Sequence, residues 1–166
     1  MKKVSIHWDK VNAKGIYPYN VPAISNLQSL DLDHNVVFII GENGTGKSTL
    51  LEAIAYKCGF AVGGGGRANN LGVTDPSLAL ASVMTLSWMP KVNRGFFLRA
   101  ETFFDFAKYI DELALDPYSG GQQAAYGPYG GKSLNEQSHG EAFLALFTNR
   151  FNGQGLFILD EPEAAL

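Results

Sequence analysis

The sequence has one cysteine, Cys58, so no disulfide forms within the chain, which fits a reducing, cytoplasmic setting. No run approaches the ~20 apolar residues of a membrane span. The basic opening Met1-Lys2-Lys3 lacks the apolar stretch that would make it a signal peptide. No internal repeat is present. Charge is sparse, at 17% of residues, and its net value of -3 carries no nucleic-acid footprint for the chain as a whole. His7, His34 and His139 lack metal-ligand spacing. Hydrophobic residues, by contrast, make up 46% of the chain, which argues against disorder. At 166 residues the length suits one domain with a substantial core.

The apolar pattern predicts a strand over Lys3–Trp8, then loop over residues 9–35 with room for one more strand. Val36-Val37-Phe38-Ile39-Ile40 is a continuous apolar run of the kind that forms a strand buried on both faces of a parallel sheet. Leu50, Leu51, Ile54, Ala55 and Cys58 form one helical stripe ended by Gly59. Gly63–Gly66, followed by Arg67, Asn69 and Asn70, reads as loop. Val83–Trp88 and Gly95–Arg99 read as strands, Thr102–Leu115 as an amphipathic helix stopped by Asp116-Pro117, and residues 117–132 as a long loop. Glu141–Arg150 reads as a helix and Gly155–Leu159 as a second buried strand.

Between the first buried run and the helical stripe lies Gly41-Glu42-Asn43-Gly44-Thr45-Gly46-Lys47-Ser48, which fits G-x-x-x-x-G-K-[ST]. A strand before it and a helix after it are the context this phosphate loop requires. Glycines let main-chain N–H groups turn inward around phosphate oxygens, and the helix N-terminus adds unpaired donors. Lys47 would reach the β- and γ-phosphates of ATP, the Ser48 hydroxyl would ligate Mg²⁺, and Thr49 continues the binding segment. The other reading is a glycine-rich turn with an incidental lysine.

Asp160-Glu161 closes the second buried strand, at the sheet edge where open α/β folds bind ligands. With the phosphate loop, this is the Walker B pattern: Asp160 for Mg²⁺ and Glu161 as general base toward the attacking water. Alone, an Asp-Glu pair after a strand is a solvated turn. Ser138-His139-Gly140-Glu141 opens the preceding helix as a capping box. The same terminus is a candidate anion site through Ser138 and Gly140.

Together these segments resemble the ABC-type ATPase superfamily, whose signature is commonly Leu-Ser-Gly-Gly-Gln. His139 and Glu141 depart from that form. Ser138 lies 22 residues before Asp160, as one helix, a turn and a strand require. Glu163 stands where transporter subunits usually have Thr or Ser, so the end of the chain looks more like soluble predicted ATPases of the AAA family (AAA_21/AAA_23-like), related to SMC and RecF-type repair ATPases. Too few residues intervene for the long coiled coils of those relatives.

The resemblance implies an α/β fold: a P-loop NTPase with a mostly parallel central sheet flanked by helices, as one domain over 1–166 with a helical and loop insert over 60–135. It implies ATP and Mg²⁺ as cofactors and a nucleotide-sandwich homodimer in which Ser138 faces the partner's phosphate loop. Alternatives are a nucleotide-gated module whose target is DNA or a partner protein, and a transporter subunit. Glu101, after the Gly95–Arg99 strand, is the candidate for the metal-contacting position that the family gives to a glutamine. A charged strand end is the competing reading, and Gln122 and Gln123 are poorer candidates. Arg67 is a candidate phosphate contact, and Tyr17 or Tyr19 a candidate adenine platform. ABC cores continue past the acidic pair into a D-loop and a histidine-bearing strand. The sequence lacks that C-terminal part of the lobe, so the resemblance predicts low stability and weak hydrolysis for the chain by itself.

Overall fold

The computed structural model describes residues 1–61, 75–151 and 153–165. Gly63–Gly66, Arg67, Asn69 and Asn70 lie outside them. The chain is α/β, with six helices and two small sheets among the described residues. In order these are β1 (Lys3–Ile6), α1 (Pro22–Ser25), β2 (Ser29–Asp31), α2 (Lys47–Lys57), α3 (Asp75–Ser82), β3 (Met84–Ser87), β4 (Gly95–Arg99), α4 (Phe103–Leu115), α5 (Gly121–Tyr126), α6 (His139–Arg150) and β5 (Leu156–Asp160).

One sheet is antiparallel, in the order β2-β1-β3, with Val4 paired to both Leu30 and Leu86. The other is the parallel pair β4-β5, in register from Gly95 with Leu156 to Arg99 with Asp160. The pair is covered on both faces, and the two-residue strand period sorts its side chains. Phe97 and Ile158 join the apolar cluster built on Leu50, Ala53 and Ile54 of α2, Leu80 of α3 and Val4 of β1. Phe96 and Leu98 join the opposite cluster with Phe103, Phe106 and Ile110 of α4 and Phe143 and Leu146 of α6. Phe96 and Phe106 meet edge to face at 5.4 Å between centroids.

Three expectations are corrected. Val36–Ile40 is not a strand: Phe38 is 81% and Ile40 91% exposed, and only Ile39 packs against the core. An apolar run becomes a buried strand only where neighbours take up its backbone polar groups, and no described strand pairs with it. The expected mostly parallel central sheet is accordingly a parallel pair beside an antiparallel trio. Residues 117–132 are not all loop. Gly120, at φ +83°, opens α5, and Ala125 and Tyr129 bury against α4 and α6. Asp111 of α4 pins the segment that follows: it accepts from the Ser133 hydroxyl at 2.6 Å and from the Asn135 amide at 2.7 Å.

Candidate functional site

Strand parity and helix period together build the site. Phe97 and Ile158 face α2, so Arg99 and Asp160, two residues further along each strand, face α2 as well. On α2, Ser48 and Glu52 are one turn apart and share a face. The four side chains meet as a tile. The Ser48 hydroxyl donates to Asp160 Oδ1 at 3.1 Å. Arg99 Nη1 donates to Glu52 Oε1, and Arg99 Nε lies 3.5 Å from Asp160 Oδ2.

The loop before α2 turns through two left-handed glycines, Gly44 at φ +77° and Gly46 at φ +96°. At Gly46 a Cβ would come within 2.6 Å of Val21 Cγ2, so both the dihedral and the packing require glycine there. The Ala23 N–H donates to the Thr45 carbonyl at 3.1 Å, tying α1 to the loop. Gly41, Glu42, Asn43 and Gly44 are exposed. The Thr45 hydroxyl donates to the Glu42 carbonyl at 2.8 Å. The Lys47 ammonium braces the loop by donating to the carbonyls of Gly41 at 2.7 Å and Glu42 at 2.8 Å. Thr49 is buried, and its hydroxyl meets that of Tyr17.

Asp160 is 4% exposed. Burial pushes its carboxyl above the ordinary range. The Ser48 hydrogen bond and the Arg99 charge pull the other way, while Glu161 and Glu52 add to the push. Glu161 is exposed and holds φ +50°, a left-handed backbone that costs a non-glycine residue about 1–2 kcal/mol. Its carbonyl accepts from the Ala164 N–H at 3.0 Å, which starts the turn over Pro162–Ala165. Glu101 sits in the short turn after β4, exposed, with Oε2 3.3 Å from Arg99 Nε.

Ser138 and Gly140 stand elsewhere, at the start of α6. Ser138 and Glu141 form the expected capping box, with the Ser138 N–H donating to Glu141 Oε2 at 3.0 Å and its hydroxyl to the same carboxylate. Gly140, Phe143, Leu144 and Phe147 face Leu159, Pro162 and Glu163 across an apolar groove. Of the adenine candidates, Tyr19 turns to the core, its hydroxyl donating to the Ala79 carbonyl at 3.0 Å. Tyr17 is half exposed beside α2. Gln122 and Gln123 lie on α5.

Sequence reasoning missed Glu52 and Arg99. Both carried a signal: a glutamate inside the buried part of a helix four residues after Ser48, and an arginine ending the apolar run Phe96-Phe97-Leu98. Neither falls within a motif.

The donor set suits a hard cation. Ser48 Oγ and Asp160 Oδ1 are adjacent oxygens, and Mg²⁺ is typically held by one or two protein oxygens plus phosphate and water. Among the described residues no three or more His, Cys, Asp or Glu side chains gather as a metal cage. No described helix is long and apolar enough to cross a membrane.

No curated protein and no solved structure matches the chain. Residues 10–87, just under half of the sequence, match the family model described as AAA domain. The matched stretch takes in the phosphate loop, α2 and β3 and stops before β4 and β5. This similarity to the AAA domain family supports a nucleotide-binding, P-loop ATPase-like chain.

Proposed function

We propose that the chain binds ATP with Mg²⁺ and hydrolyses it as a soluble ABC-type ATPase. The loop Gly41–Ser48 would wrap the phosphates, with Lys47 leaving the Gly41 and Glu42 carbonyls to meet the β- and γ-phosphate oxygens. Ser48 and Asp160 would hold Mg²⁺, which supplies charge neutralisation at the phosphates. Glu161, one residue beyond Asp160 and exposed, would orient and deprotonate the attacking water. Glu101, which shares Arg99 Nε with Asp160, would face the metal's water shell.

The observation that carries this reading is the hydrogen bond from Ser48 to Asp160, which joins the phosphate-loop helix to the acidic strand. A solvated Asp-Glu turn would have no reason to be buried against that serine. Support for the nucleotide class comes from the AAA domain match.

The helix terminus at Ser138 and Gly140 would act on the nucleotide of a second copy once Ser138 releases Glu141, which would make ATP the glue of a homodimer. Glu161→Gln in the presence of ATP and Mg²⁺ is expected to accumulate an ATP-bound dimer on size-exclusion chromatography. A folded Glu161→Gln chain that binds ATP yet stays monomeric refutes the sandwich. DNA or a protein partner as the final target is tested by adding DNA to the wild-type chain and measuring turnover.

A further inference from the structure

Glu52 plays no part in the phosphate chemistry above, yet it is a carboxylate only 3% exposed on the helix that carries that chemistry. A buried carboxylate needs both charge and hydrogen-bond partners. Ser77 of α3 donates its hydroxyl to Oε2 at 2.5 Å, and Arg99 Nη1 meets Oε1.

Arg99 in turn faces three carboxylates among the described residues. Glu52 is the nearest, Glu101 Oε2 lies 3.3 Å from Nε, and Asp160 Oδ2 lies 3.5 Å from Nε. A guanidinium beside a carboxylate ordinarily closes to a bidentate pair at about 2.7–2.9 Å. Arg99 and Asp160 are register neighbours at the ends of parallel strands, so nothing in the backbone separates them. Glu52 draws Nη1 toward α2, while Glu101 shares Nε with Asp160.

Asp160 is thereby left with one oxygen loosely beside Arg99 and the other at Ser48. We propose that Glu52 is a positioning residue for the divalent cation: by holding the guanidinium of Arg99 it prevents a closed Arg99–Asp160 pair and keeps the Asp160 carboxylate open to the metal. The proposal rests on the reading of Ser48 and Asp160 given above.

The test measures the Kd of a fluorescent ATP analogue in EDTA and in Mg²⁺, the ratio being the Mg²⁺ enhancement. In Glu52→Gln, Arg99 loses its anchor and closes on Asp160. The enhancement is expected to fall by at least about tenfold while the Kd in EDTA stays within about twofold. The double variant Glu52→Gln/Arg99→Gln removes the competitor, and is expected to recover the enhancement to within about threefold of wild type. An ion pair that only stabilises the fold predicts no such recovery.

If Glu52→Gln fails to fold by near-UV circular dichroism, Arg99→Lys answers in its place. It keeps a cation against Glu52 without the guanidinium fork, so the enhancement should equal or exceed that of wild type. A wild-type enhancement that survives in Glu52→Gln, a double variant that does not recover, or a loss in Arg99→Lys of about tenfold overturns the proposal alone. A wild-type chain with no Mg²⁺ enhancement overturns the reading of the site on which the proposal stands.

Discussion

Ser48 and Asp160, 112 residues apart in the chain, share a hydrogen bond of 3.1 Å. Two independent periodicities make that contact. The α-helix places Ser48 on the face of α2 that packs on β5, and the strand period turns Asp160 to the same side as Ile158. The chemistry proposed for the chain depends on this meeting of loop helix and acidic strand.

Gly46 is where the loop is least tolerant. Gly46→Ala combines a left-handed dihedral with a 2.6 Å approach to Val21 Cγ2. A loss of roughly 2–4 kcal/mol is expected, read as a lower midpoint in urea unfolding. Adding Val21→Ala removes the clash but leaves the dihedral, so the double variant should be less destabilised than the sum of the singles.

Substitutions at Glu161 are expected to separate stability from turnover. Its backbone sits at φ +50°, which glycine adopts freely. Glu161→Gly is expected to leave thermal stability unchanged or raise it by up to about 1 kcal/mol, while ATP turnover disappears. Glu161→Gln should lose turnover with no change in stability. Calorimetric unfolding and phosphate release, measured on the same samples, check both, and turnover retained in either variant removes Glu161 from the mechanism.

Gly41–Ser48 and Asp160-Glu161 stand out in the sequence because a phosphate loop and an acidic strand end need particular residue types at short range, and the structure brings Ser48 and Asp160 together. The helix over Phe103–Leu115 was visible from its 3.6-residue stripe, and the Ser138–Glu141 cap from its spacing. The pairing of β1 with β3 was not, because 78 residues separate Met84 from Ile6 and no local signal spans them. The helix α3 and the short α5 also went unread, the latter hidden by the glycines, glutamines and tyrosines of residues 117–132. Glu52 and Arg99 matter through each other, and a partner across two elements leaves no trace in either segment's pattern.

Val36–Ile40 supplies the sharpest contrast. A buried strand would make Phe38→Ser cost about 3–5 kcal/mol. With Phe38 at 81% and Ile40 at 91% exposure, Phe38→Ser and Ile40→Ser should each shift stability by less than about 0.5 kcal/mol. Both should also raise solubility, since an exposed apolar run invites association. A multi-kilocalorie loss in urea unfolding would place the run in the core instead.

The cap of α6 carries a pH signature. The Ser138 hydroxyl, then the Ser138 N–H, and to a lesser degree the charge of Lys132 hold the Glu141 carboxyl below its ordinary 4.5. A folded-state value below the unfolded one stabilises above 4.5, and the contribution disappears as pH falls through the lower, folded value. The α6 amides nearest Ser138 should therefore lose hydrogen-exchange protection below 4.5 in the wild type. Glu141→Gln keeps an acceptor and cannot titrate, so its protection should not change over that range.

Calorimetric titration of the wild-type chain with ATP, once in Mg²⁺ and once in EDTA, tests the central claim most directly. The account predicts binding that tightens by at least about tenfold with Mg²⁺, an enhancement lost in Ser48→Ala, and affinity weakened about a hundredfold in Lys47→Ala. A chain that is folded by circular dichroism yet binds no ATP, or binds it equally well in EDTA, contradicts it.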